Sequence, residues 1–227
     1  MTTRGVSSGR RLIGVAVGIL VAGALIGLYV FGYLLGNTPS YTPPVTAGAT
    51  PSVDLTIQTV AAVGDTLAPN HPDWVSYLVR EDGTWKRTTV WHLPAHATVH
   101  VTIYNFDGAS GLRNPFFGRP QGIVGAEVVD GKPIEAMNPD DTSHTFAVPA
   151  LGIVIPILGV GDNAPHQCDE APCPMTNAHR TITFTFKTGA AGHYRWQCFV
   201  PCAAGFIYGF GGPMQTIGYM DGFLNVS

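Results

Sequence analysis

Hydrophobic positions alternate with polar ones in several short stretches. In residues 98–104, Val99, Val101 and Ile103 alternate with Thr98, His100, Thr102 and Tyr104. In residues 180–187, Ile182, Phe184 and Phe186 oppose Thr181, Thr183 and Thr185. A period of two places the apolar set on one face of a β-strand. Residues 53–60 and 194–198 are read as further strands, and a Gly-Ala-Ala-Gly turn between 180–187 and 194–198 predicts a hairpin. If that hairpin pairs evenly about its turn, Lys187 faces His193 and His179 falls opposite Pro201. No convincing amphipathic helix follows residue 52, and 28 glycines with 18 prolines supply turns. Together these features predict an antiparallel β-sandwich.

One stretch breaks the pattern. Residues 12–36 contain no charge, and at ~1.5 Å per residue a helix of that length exceeds the ~30 Å apolar core of a bilayer. Its apolar run is longer than that of a signal peptide and lacks a small-residue cleavage site, so it reads as one transmembrane helix. Arg4, Arg10 and Arg11 precede it, which by the positive-inside bias predicts a cytoplasmic N-terminus and an extracytoplasmic C-terminal part at the plasma membrane. Gly14 with Gly18 and Gly23 with Gly27 form small-xxx-small pairs, suited to a neighbouring helix and also common in membrane helices generally.

The expected organisation is a cytoplasmic segment 1–11, a span 12–36, a Pro- and Thr-rich linker 37–52 and a domain 53–227. Residues 107–141 form a long insertion, either functional or a wrapped excursion at one end of the sandwich. Phe116 and Phe117 within it are a docking patch or local core, and the apolar run 150–160 is a partner-facing surface or a buried strand. The chain has 227 residues, a net charge of -3 and scattered Lys and Arg, which excludes nucleic acid as an expected partner. No nucleophile elbow, phosphate loop or paired-carboxylate arrangement stands out, so catalysis by this chain alone is not expected.

The chemistry concentrates in Gly-His-Tyr-Arg-Trp-Gln-Cys198-Phe-Val-Pro-Cys202 and in Ser-His144-Thr-Phe-Ala-Val-Pro. Two thiolates four residues apart can share a metal, and thiolate with imidazole is the mixture copper prefers. A second group, His166, Cys168, Cys173, Met175 and His179, offers a separate Cu(I) or zinc site. In an oxidising compartment Cys168 and Cys173 more simply form a disulfide, and Cys198 and Cys202 would close in the same way unless something binds them.

With the strand end Asn105-Phe-Asp107 and the closing Met220-Asp-Gly222-Phe-Leu-Asn-Val226, these segments resemble a cupredoxin domain. With the membrane span and the Cys-x-x-x-Cys loop, the chain is similar to subunit II of the haem-copper oxidase and nitric oxide reductase family. The resemblance covers the span and most of residues 53–227 outside the insertion. It implies an all-β, Greek-key cupredoxin-like sandwich behind a single N-terminal transmembrane helix. It also implies a copper centre passing electrons to membrane haem-copper oxidase-type subunits, with a soluble electron donor outside.

By that resemblance His144 is the first histidine ligand, Cys198 and Cys202 are the bridging thiolates and Val200 lends a backbone carbonyl. The chain departs from the family in three places. Phe206 stands where a second histidine is expected, Gly209 stands where the family has methionine, and Val200 replaces a glutamate that contacts magnesium. His193 lies five strand residues from Cys198, about 16 Å away at ~3.3 Å per residue, too far to share an ion. His179 is the candidate substitute, Met214 and Met220 are both available as weak thioether ligands, and Met220 in its Met-x-Gly setting matches an axial methionine. A metal-free structural subunit with a disulfide-closed loop, and a copper-delivery protein using residues 166–179, are the alternative functions.

Overall fold

The computed structural model describes residues 8–34, 39–67, 73–202 and 212–227. It divides into two units, Met1–Thr38 and Pro39–Ser227. In the first, an α-helix over Ser8–Gly27 continues as π-helical turns over Leu28–Leu34. Residues Leu12–Phe31 have a mean hydropathy of 2.5 and none of them is buried. The helix is long and apolar enough to cross a membrane, a test that a signal sequence also passes.

In the second unit the described residues form fourteen strands. They are β1 (Ser40–Tyr41), β2 (Val45–Thr46), β3 (Ser52–Val60), β4 (Ser76–Glu81), β5 (Thr84–Lys86), β6 (Val90–Leu93) and β7 (Thr98–Asn105). The chain continues through β8 (Glu127–Val129), β9 (Lys132–Ile134), β10 (Thr142–Val148), β11 (Ile153–Leu158), β12 (Arg180–Lys187), β13 (Gly192–Gln197) and β14 (Asp221–Val226). One sheet has the order β1-β6-β14-β13-β10-β11 and the other β5-β4-β3-β7-β12-β8-β9, with β2 beside β3. The all-β sandwich expected from the alternating pattern is the architecture of this unit.

The core lies between the sheets. Leu55, Ile57, Val101, Ile103, Phe184 and Phe186 from one sheet meet Trp91, Phe146, Trp196 and Leu224 from the other. These are the inward positions of each alternation, and the outward threonines of β12 are left part-exposed. At ~25 cal/mol per Å² of apolar surface removed from water, this packing is the main stabilising contribution.

The hairpin expected from 180–187 and 194–198 does not form. β12 pairs with β7 and β8, whereas β13 pairs with β14 and β10, so the two strands belong to opposite sheets. The reason is local. The buried Thr188 hydroxyl donates to the Pro94 carbonyl (2.7 Å) and accepts from the Ala97 amide (2.8 Å), fixing the chain at a crossover instead of a tight turn. Phe184, Phe186 and Trp196 then each pack on Phe146 in the core between the sheets.

Two other boundaries shift. The segment read as linker 37–52 supplies β1, parallel to β6, and β2, antiparallel to β3, so it is stitched to both sheets. Insertion 107–141 is not only loop, because β8 and β9 extend the second sheet beyond β12. Within it Phe117 is buried and Phe116 is 47% exposed. The apolar run after His144 is the buried strand β11.

Gly222 sits where β14, β6 and Trp196 converge. The Thr89 carbonyl accepts from Phe223 N and from Trp196 Nε1, each at 3.0 Å, and a Cβ on residue 222 would overlap that oxygen. Gly222→Ala is expected to destabilise the protein by at least ~2 kcal/mol through overpacking, read as a lowered denaturation midpoint.

Candidate metal centre

His144 lies in β10, which pairs with β13 at Ala147↔Gln197. That pairing sets the imidazole beside the loop that begins at Cys198. Among the described His, Cys, Asp and Glu residues, only His144, Cys198 and Cys202 form a group able to hold a metal ion, with all three ligand atoms within 4.8 Å of one another and all three residues buried. His144 Nδ1 is 3.2 Å from Cys202 Sγ and 4.0 Å from Cys198 Sγ, and the two sulfurs are 3.4 Å apart. Both thiols are free.

The surroundings orient these donors. The Val200 carbonyl lies 3.1 Å from Cys202 Sγ and 3.6 Å from Cys198 Sγ, so the backbone oxygen assigned by resemblance faces both sulfurs. The Thr145 amide donates to Cys198 Sγ at 3.4 Å, and the Thr145 hydroxyl is 3.9 Å from the same sulfur. Cys198 N donates to the Met220 carbonyl at 2.9 Å, while the Met220 side chain is fully buried in the main core cluster. Met214 comes closer in a way that can be specified, because its Sδ accepts a hydrogen bond from the Cys202 amide at 3.3 Å.

His179 is placed elsewhere. Its ring packs against Tyr104 and Phe106 at the end of the opposite sheet, and its Nδ1 meets the Asn177 carbonyl at 2.8 Å. The register that put it opposite Pro201 depended on the hairpin that does not form. His193 stacks on Phe223 with ring centroids 4.1 Å apart, on the outer face of its sheet. Phe206 and Gly209 lie outside the described residues. Cys168 and Cys173 form the expected disulfide, which removes both thiolates from the 166–179 group.

Asp107, which the sequence offers only as part of the strand end Asn105-Phe-Asp107, has a role at the site that residue type and spacing did not reveal. Its carboxylate accepts from His144 Nε2 at 2.9 Å, which leaves Nδ1 directed at the sulfurs, the arrangement by which an outer carboxylate sets the tautomer of a metal-binding histidine. Asn105 places it. The buried Asn105 side chain is bonded by Thr59 Oγ1, donates to the carbonyls of Asp107 (3.1 Å) and Leu158 (2.8 Å), and accepts from Asp107 N (3.2 Å). The available signal was an acidic residue directly after the strand end Asn105-Phe106. Asp107, Ser143, His144, Val200 and Cys202 line one opening of about 320 Å³ at this end of the sandwich.

The electrostatics follow from burial and pairing. Burial pulls the His144 pKa down, but the Asp107 hydrogen bond and the Cys198 sulfur override it and hold the imidazole at about 9. Burial also pushes Asp107 up, and its bond to His144 more than offsets this, leaving it below the ordinary carboxylate value. Of the two thiols, Cys198 is the one favoured as thiolate, because Cys202, His144 and the Thr145 amide outweigh its burial, and Cys202 is pushed up by that neighbouring charge and by burial.

The donor set fits a soft or borderline ion. Bonds of ~2.0 Å to nitrogen and ~2.3 Å to sulfur in a trigonal plane space the donors by roughly 3.5–4 Å, close to the separations found. No family model and no curated protein matches the chain significantly. Among solved structures, the copper protein rusticyanin is 20% identical over 82% of this chain and 88% of that one, with a TM-score of 0.31. Rusticyanin from Thiobacillus ferrooxidans gives 17%, 80%, 84% and 0.30 for the same quantities. A multicopper oxidase is 9% identical over 84% of this chain and 48% of its own length, so the chain spans about half of it, with a TM-score of 0.36. The chemistry of this centre follows from its own donors, His144, Cys198 and Cys202.

The Asp107–His144 pair has a defined pH signature in the metal-free, reduced protein. The raised histidine pKa contributes stability in full below its unfolded value of 6.5, and that contribution is lost as pH rises through about 9. The lowered Asp107 pKa contributes above 3.8 and is lost as pH falls through its folded value. Asp107→Asn is therefore expected to cost about 1.5–3 kcal/mol between those limits and progressively less toward pH 9. Denaturant unfolding of both proteins across pH measures that difference, and NMR of the ring protons should show the His144 pKa falling in the variant.

Proposed function

We propose that the chain is a membrane-anchored, cupredoxin-like copper protein that transfers electrons through a centre held by His144, Cys198 and Cys202. The single observation that carries this reading is the convergence of one imidazole nitrogen and two free thiols, buried at the end of an all-β domain and directed by Asp107. The Val200 carbonyl and the sulfurs of Met214 and Met220 are the further donors assigned to it. Copper bound there would supply one-electron redox chemistry. The chain's part is to aim Nδ1 at the ion by holding Nε2 on Asp107, to hold the sulfurs close and to shield them from bulk water.

The helix over Leu12–Phe31 is read as the anchor, with the N-terminus cytoplasmic and Pro39–Ser227 extracytoplasmic at the plasma membrane. Subunits of the haem-copper oxidase type are the proposed membrane partners, with a soluble donor on the outer side. The carrying features are the pattern of membrane span and Cys-x-x-x-Cys loop. A copper-delivery role through residues 166–179 is disfavoured because Cys168 and Cys173 are joined to each other.

Full-length protein purified with reduced thiols is expected to take up copper and to show thiolate-to-copper absorption, with bound copper measured by elemental analysis. Cys198→Ser should abolish the absorption without loss of fold. Absence of those bands from the copper-treated wild-type protein would sink the reading. Affinity purification from native membranes, followed by haem spectroscopy of the eluate, tests the partner assignment.

A further inference from the structure

Two stacked tryptophans in the core lie on the strands that lead from the sheet edge to the sulfur pair. Trp196, two residues before Cys198, stacks on Trp91 with centroids 4.8 Å apart and planes 21° from parallel. Tyr77 meets the Trp196 ring edge-on at 5.1 Å, and its hydroxyl donates at 2.9 Å to the carbonyl of Thr145, the residue whose amide donates to Cys198 Sγ. All three rings are fully buried. At the other end Trp91 is the register partner of Tyr41 on β1, a part-exposed tyrosine packed against the same core cluster. Easily oxidised rings thus lead from the sheet edge, where Tyr41 is in register with Trp91, through the stacked Trp91 and Trp196 to the strand end that carries Cys198, whose sulfur is 3.4 Å from that of Cys202.

We propose that Tyr41, Trp91 and Trp196 form a relay that carries oxidising equivalents inward to the Cys198–Cys202 pair. The co-reactant is a one-electron oxidant of high potential, such as a radical or a high-valent haem, acting at Tyr41. Tyr41 gives it one electron and releases its phenolic proton to water. Trp91 then returns an electron to Tyr41, which takes a proton back. The resulting Trp91 radical cation keeps its Nε1 proton, because its acceptor is the Thr88 carbonyl (2.7 Å), which is not a base. Trp196 refills Trp91 and keeps its own proton against the Thr89 carbonyl (3.0 Å) for the same reason.

The sulfur pair refills Trp196. Two such passages convert one thiolate and one thiol to a disulfide, with the remaining proton leaving to solvent in the opening that Cys202 and Asp107 line. Two electrons reach two oxidant molecules, one S–S bond forms and one S–H bond breaks. Only the reduced sulfurs are required, so the proposal stands independently of the copper reading.

The experiment uses full-length, metal-free, reduced protein in detergent with a ruthenium polypyridyl photo-oxidant. The Cys198–Cys202 disulfide is quantified by mass spectrometry, and tryptophan radical lifetimes are read by transient absorption. The wild type is expected to form that disulfide and to show short-lived radicals. Trp196→Phe should lose most of the disulfide yield, and Cys198→Ser should lengthen the tryptophan radical lifetime. Tyr41→Phe, which keeps the ring at the sheet edge, should also lower the yield and decides the matter if Trp196→Phe fails to fold. Wild-type disulfide yield retained in every variant that folds, as judged by near-UV circular dichroism, would overturn the relay.

Discussion

The hydrogen bond from His144 Nε2 to Asp107 is the constraint on which the site depends. A buried imidazole has two nitrogens to satisfy, and committing one to a carboxylate fixes where the other points. Here the free nitrogen points at two sulfurs. The bond also links distant parts of the sequence, since Asp107 follows β7 in one sheet while His144 belongs to β10 in the other. The two sheets are therefore joined at this end by a polar clamp, with the aromatic core beneath it.

That clamp explains why the thiols differ although their sequence neighbourhood is nearly symmetric. Cys198 receives the Thr145 amide and is the sulfur favoured as thiolate, whereas Cys202 lies closer to the imidazole and is disfavoured as a second negative charge. A cation bound among them would relieve that repulsion. Without one, the pair favours a single negative charge over two, which suits the centre to a positive ion.

Much of the fold was legible because period-two patterning reports which face of a strand is buried. β7 and β12 end within one residue of their expected limits for that reason. What patterning cannot report is which strand lies next to which. Thr188 looks like an ordinary turn residue, yet its hydroxyl decides that β12 and β13 face each other across the core, and this removed the basis for placing His179 near the thiols. The donors His144, Cys198 and Cys202 were legible from residue type and spacing. Asp107 and Met214 were not singled out to the same degree, because their roles arise from contacts across 37 and 12 residues of sequence.

The brief strand β1 has a practical implication. It covers β6, which in turn lies parallel to the closing strand β14, so the start and end of the domain are woven into one sheet. A truncated version begun at residue 53, where the alternating pattern first becomes clear, would strip away that cover. The backbone groups of β6 would be left as an open edge ready to recruit another chain. A soluble derivative that retains Ser40 and Tyr41 keeps that edge paired.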